Sequence, residues 1–163
     1  IWSAKETESA SFFHREKRMK ILVAEDDLDN ARLLESILRK NAHTVEVVGD
    51  GKEALKRLRE RRFDALLTDW MMPEMDGATL IQRVRAEVET APFILMVTAV
   101  GDDDSRQQIL QAGADEFLIK PYQSEDVVQV LSDGFARFTQ PEPEVCVIKP
   151  VLLWNQPALM ELI

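Results

Sequence analysis

Short runs that are apolar at every position recur along this chain, and each ends in a polar residue just before an amphipathic stretch. This arrangement constrains the fold more than any other feature. Ile21-Leu22-Val23-Ala24 runs into Glu25-Asp26-Asp27, Ala65-Leu66-Leu67-Thr68 ends at Asp69, Phe93-Ile94-Leu95-Met96-Val97 ends at Thr98, and Phe117-Leu118-Ile119 ends at Lys120-Pro121. Thr44 to Val48 is β-branched and strand-like. A run without alternation marks a strand buried on both faces, as in a parallel sheet.

The stretches between these runs have helical spacing. Leu33, Leu34, Ile37 and Leu38 form one apolar stripe, with Asp29 as a candidate N-cap. Asp50-Gly51 turns into a second helix carrying Ala54, Leu55 and Leu58. Residues 77–88 follow with Leu80, Ile81 and Val84, then 103–112, closed by Gly113 as a C-terminal stop. Residues 124–138 carry Val127, Val128, Val130 and Leu131, and Gly134 weakens that helix near its end. The expected fold is therefore α/β: a doubly wound five-stranded parallel sheet, right-handed in its crossovers, with helices on both faces. Such sheets place their ligand site beyond the carboxyl ends of the strands, where the winding reverses. Glu25, Asp26, Asp69, Thr98 and Lys120 all fall on that edge.

The chain has 163 residues, enough for one domain with extensions. Residues 1–18 read as an N-terminal linker or extension, 19–140 as the domain, and 141–163 as a linker followed by a further segment. Pro141-Glu142-Pro143-Glu144 is stiff and extended in character. The net charge of −9 argues against binding to nucleic-acid phosphates by this domain. The single Cys146 cannot make an internal disulfide. No apolar run reaches the ~18–20 residues of a membrane span, and the N-terminus lacks the order of a signal peptide. A cytoplasmic fragment or processed form, without membrane contact, is the expectation. The apolar tail would favour self-association, so a homodimer is one expected assembly.

Carboxylates crowded into one crevice repel each other unless a positive charge sits among them. Oxygen-only ligands point to Mg²⁺, which keeps several waters and leaves room for a phosphate. A carboxylate beside such an ion can act as a nucleophile and form an acyl phosphate. A lysine ammonium and a threonine hydroxyl can each engage a phosphoryl oxygen. Lys120 precedes Pro121, so a cis peptide that aims the lysine back into the site is expected.

From about Met19 to Thr139 the chain resembles the bacterial receiver domain of response regulators and hybrid histidine kinases, which has a flavodoxin-like fold. The motifs that carry the resemblance are Ile21 to Asp26 (ILVAED), Thr68-Asp69-Trp70-Met71-Met72-Pro73, Met75-Asp76-Gly77, Val97-Thr98-Ala99 and Ile119-Lys120-Pro121, in the family's order and spacing. The resemblance implies that Asp69 accepts the phosphoryl group, from a histidine kinase or a histidine phosphotransfer protein. It implies Asp26 as a direct Mg²⁺ ligand, Glu25 acting through a water, Asp69 itself and the carbonyl of Met71, with Asp27 the alternative to Asp26. Thr98 and Lys120 would bind the phosphoryl group. Phe117 occupies the place of the aromatic switch residue, which follows the threonine when phosphorylation draws it inward.

Met71 and Val100 lie two residues beyond the acceptor and the threonine, at positions that help set the lifetime of the phosphoryl group in the family. Both are apolar, which implies slow hydrolysis. A magnesium-dependent phosphatase or phosphomutase would also use a strand-end aspartate, but it usually has a second aspartate where Met71 stands. A degenerate receiver acting only as a protein-interaction module is the other alternative, and the complete set of site residues argues against it. Asp102-Asp103-Asp104 reads as a solvated acidic face, and His14 and His43 as structural. Val151 to Ile163 resembles the opening of a histidine phosphotransfer domain.

Overall fold

The computed structural model describes residues 17–99 and 101–140. Strands and helices alternate: β1 (Lys20–Ala24), α1 (Leu28–Lys40), β2 (Thr44–Val48), α2 (Gly51–Glu60), β3 (Ala65–Asp69), α3 (Gly77–Glu87), β4 (Phe93–Thr98), α4 (Asp103–Ala112), β5 (Glu116–Ile119) and α5 (Ser124–Thr139). The five strands form one sheet in the order β2-β1-β3-β4-β5. Every neighbouring pair is parallel. The winding direction therefore reverses at β1 and β3, which opens a crevice at their carboxyl ends. The expectations for residues 1–16, for Val100 and for 141–163, including the linker and the phosphotransfer-like tail, lie outside the described residues.

Alternation along each strand divides the core into two layers. Leu22, Ala24, Leu66, Ile94 and Met96 face α2, α3 and α4, where they meet Ala54, Leu55, Leu58, Leu80, Ile81, Val84 and Ile109. Ile21, Val23, Ala65, Leu67, Phe93, Leu95 and Val97 face α1 and α5, through Leu34, Ile37, Leu38, Val127, Leu131 and Phe135. The three central strands are thus apolar on both faces, which is why their sequences show no alternation. β5 lies at the sheet edge, and all of its residues are half-buried.

The register defines the upper edge. Ala24 pairs with Thr68, so Glu25 emerges beside Asp69. Asp69 pairs with Val97, which puts Thr98 one step further out, and Thr98 pairs with Ile119, the residue before Lys120.

The start of α1 differs from the sequence expectation. Its N-cap is Asp27, not Asp29: Asp27 has extended backbone, and its carboxylate accepts from the N–H groups of Asp29 and Asn30. Asp29 lies one residue inside the first turn, where its charge still complements the helix dipole. Asp102 likewise does more than face solvent. It caps α4, accepting from the Ser105 N–H and hydroxyl, and these bonds hold its carboxyl below the usual range.

Gly134 has a packing role within α5. A Cβ there would stand 2.4 Å from Cζ of Phe93, a ring that is 1% exposed. Phe93 in turn makes edge contacts with Phe135 and Phe138. Gly134→Ala would gain about 1 kcal/mol of helix propensity, against about 1–3 kcal/mol for overpacking. The expected outcome is a net loss of stability in urea unfolding. A stabilised variant would show that the Phe93 ring yields.

Candidate functional site

Glu25 is the most buried charged group on the carboxyl edge, at 2% exposure. Its backbone N–H extends the ladder to Val48 O, which fixes the direction of the side chain at its root. Oε1 accepts from the Asp27 N–H at 3.2 Å, and Oε2 from Lys120 Nζ at 3.0 Å. Lys120 Nζ also lies 3.4 Å from Asp69 Oδ2. The other Asp69 oxygen accepts from the Trp70 N–H at 2.8 Å. One ammonium therefore spans two carboxylates from different strands.

The protonation equilibria reflect this crowding. Burial pushes the Glu25 carboxyl up, the hydrogen bond from Lys120 opposes it, and the charge of Asp69 adds to the rise. Burial alone would pull the Lys120 ammonium down, but Glu25 and Asp69 outweigh it and hold the group above its usual value. Lys120 therefore stays charged at neutral pH.

Asp26 completes the acid cluster from the exposed side. One carboxylate oxygen from each of Glu25, Asp26 and Asp69 falls within a span of 4.8 Å. With Lys120 counted, this crevice carries two uncompensated negative charges, the amount one divalent cation balances. An oxygen-only donor set with one solvent-facing member fits a hydrated Mg²⁺. Asp27, the alternative ligand, has its carboxylate engaged in capping α1.

Thr98 is 1% exposed at the end of β4, and Lys120 N–H bonds its carbonyl at 2.7 Å. The Lys120–Pro121 peptide is cis. Phe117 is half-buried against the α2–α3–α4 layer, the same sheet side as Thr98 by strand alternation. The Met71 side chain is 73% exposed, whereas Met72 is buried. Trp70 is partly buried against the same layer. His43 is buried and its Nδ1 accepts from Met19 N–H, a structural contact.

Two open clefts lie near Asp69. One, of about 550 Å³, is lined by Asp26, Trp70, Met71, Met72, Pro73 and Asp76. The other, of about 400 Å³, is lined by Asn30, Leu33, Ala99, Lys120, Pro121 and Tyr122.

Two residues have roles in the geometry that the sequence reading did not assign them. Gly77 starts α3 directly against the end of β3. Its N–H bonds Trp70 O at 2.7 Å, and a Cβ there would stand 2.2 Å from Asp69 O. Any side chain at 77 would displace the end of β3. The position of Gly77 in the Met75-Asp76-Gly77 motif was the available signal. Tyr122 has its hydroxyl buried with no hydrogen-bond partner among the described residues, and burial pushes its phenol up. Nothing in a lone tyrosine after Lys-Pro distinguishes it from a packing residue.

Comparison with known proteins gives this geometry a family. The family model of the response regulator receiver domain matches residues 21–132. Response regulator RppA of Synechocystis sp. is 30% identical over 132 residues, which is 80% of this chain and 56% of that protein. The autoinducer 2 sensor kinase/phosphatase LuxQ of Vibrio vulnificus is 32% identical over 109 residues, 67% of this chain but 13% of that one. The chain thus spans about half, or far less, of the curated relatives it matches. Among solved structures, the receiver domain of a Pseudomonas aeruginosa sensor histidine kinase, with magnesium coordinated in its active-site cleft, is 30% identical. Its TM-score is 0.67, and the match covers 73% of this chain and 98% of that one. Matched over most of its length in sequence and in fold, the chain belongs to the response regulator receiver domain family of two-component signalling.

Proposed function

We propose that residues 19–140 form a complete receiver that takes a phosphoryl group from a phosphohistidine donor onto Asp69 and then changes the shape of its output face. The observation that carries this reading is the lysine ammonium that bridges Glu25 and Asp69 beside a cluster of three carboxylates. In the transfer, an Asp69 oxygen forms a bond to phosphorus as the phosphorus–nitrogen bond of the donor breaks. The imidazole nitrogen leaves with the electron pair and takes a proton from solvent. Lys120 needs only a small shift to pair with a phosphoryl oxygen, and the Thr98 hydroxyl is the second donor at the strand ends.

Asp26, Asp69, the Met71 carbonyl and, through a water, Glu25 would hold Mg²⁺. The ion would neutralise charge on the transferring group. The rest is done by the chain. Glu25 holds the ammonium above the acceptor, and Trp70 N–H orients the acceptor carboxylate.

The expected donor is a histidine kinase or a histidine phosphotransfer protein. Leu28 and Leu33, 70% and 49% exposed on α1, and the cleft beside Pro121 offer apolar surface near the acceptor for such a partner. The protein acts on itself and on its donor, not on an external metabolite. Among the described residues no helix is long and apolar enough to cross a membrane.

Intact mass after incubation with acetyl phosphate tests the reading. A single magnesium-dependent phosphoryl adduct is expected on the native chain and none on Asp69→Asn. No adduct under any condition would leave a receiver that only binds partners. Lys120→Met should slow adduct formation by about 10²–10³-fold, the usual cost of losing a charge-stabilising donor, and an unchanged rate would remove Lys120 from the chemistry. The exposed apolar Met71 cannot orient an attacking water. The native adduct should therefore outlast that of Met71→Asn when both are timed after removal of the donor.

A further inference from the structure

The Arg106 guanidinium lies over the Phe117 ring, 5.6 Å from its centroid. Arg106 stands one turn into α4, and Phe117 stands on the edge strand β5. Asp103, three residues earlier on the same helix, is placed for an ion pair with it, yet among the described residues Arg106 makes no salt bridge. Arginines elsewhere on the helices do take carboxylates, as Arg39 takes Glu35 and Arg57 takes Glu53. Here the cation is used on an aromatic face instead.

The surroundings connect this contact to the acceptor. Met96 pairs with Phe117 and Thr98 with Ile119, so the threonine and the ring share one side of adjacent strands. Gly101 lies close on β5: a Cβ there would stand 2.8 Å from Ile119 Cδ1. The chain then enters α4 at the Asp102 cap, one turn before Arg106. A displacement of Thr98 therefore acts on both ends of the Arg106–Phe117 contact, the ring through the sheet and the guanidinium through the start of the helix.

We propose that Arg106 is a positioning residue that latches Phe117 in the arrangement seen with a free Asp69 carboxylate, and so sets how readily the domain switches. The proposal rests on the reading of Thr98 and Phe117 as a coupled pair. A contact made in one state and lost in the other shifts the balance by its own strength, and a cation over a ring near the surface is worth about a two- to fivefold change in population. Arg106 is exposed, so its substitution should leave the fold intact.

The test is a titration with beryllofluoride, a non-covalent mimic of a phosphoryl group on a carboxylate, in the presence of Mg²⁺ and read by Trp70 fluorescence. Arg106→Gln should lower the half-saturating concentration about two- to fivefold. In a Phe117→Leu background the same substitution should have no effect, because the ring it acts on is gone. No shift with Arg106→Gln, in a native protein that responds normally, would overturn the latch and leave the acceptor reading standing. An equal shift in both backgrounds would also overturn it, by showing a general effect of charge. A native protein with no magnesium-dependent response would overturn the acceptor reading and the latch together.

Discussion

A carboxylate as buried as Glu25 costs several kcal/mol unless something positive meets it, and in this fold that something is Lys120, 95 residues further along the chain. The ion pair can form only because β1, β3, β4 and β5 are aligned so that their carboxyl ends come level. Like charges about 4 Å apart in a partly buried site repel by about 4 kcal/mol. The cluster of Glu25, Asp26 and Asp69 is therefore an unfavourable arrangement that the hydrophobic sheet holds in place. The core supplies the energy to keep the negative charges together, Lys120 offsets part of the repulsion, and the remaining negative charge favours a divalent cation. Stability and function are thus coupled through the strand register.

The same sheet also separates two surfaces. Its α1–α5 side begins with the helix that frames the acceptor, where Leu28 and Leu33 remain exposed. Its α2–α3–α4 side contains Thr98, Phe117 and the helix that carries Arg106. Alternation along β4 and β5 puts the threonine and the aromatic ring on this second side, away from the exposed leucines of α1. The two faces of the sheet are therefore chemically distinct surfaces of one small domain. Which output the second surface addresses depends on the whole protein, since the chain spans 56% of RppA and 13% of LuxQ.

Much of this was legible in the sequence because it follows from period and position. A strand buried on both faces leaves an unbroken apolar run, and its first polar residue marks the edge where ligands bind; Glu25, Asp69, Thr98 and Lys120 were readable on that ground. What was not legible depends on distances between elements. Asp27 and Asp29 are equally good capping residues, and only backbone geometry separates them. Gly134 reads as a weak point in a helix until the Phe93 ring is seen against it. Gly77 reads as the start of a helix and the end of a motif until the close approach to Asp69 O is measured. The pairing of Arg106 with Phe117 joins residues on different elements with no periodic relation between them, and Asp103 offered a more obvious local partner.

The acid cluster at the strand ends is built to take a divalent cation beside Asp69. Relaxation broadening by Mn²⁺, added at a small fraction of the protein concentration and followed by amide NMR, reads this directly. Broadening should be confined to the ends of β1 and β3 and the loops around them, should be displaced by Mg²⁺, and should vanish in Asp26→Asn. Broadening spread over the acidic surface, or unchanged by Asp26→Asn, would mean that the strand-end carboxylates form no specific cation site.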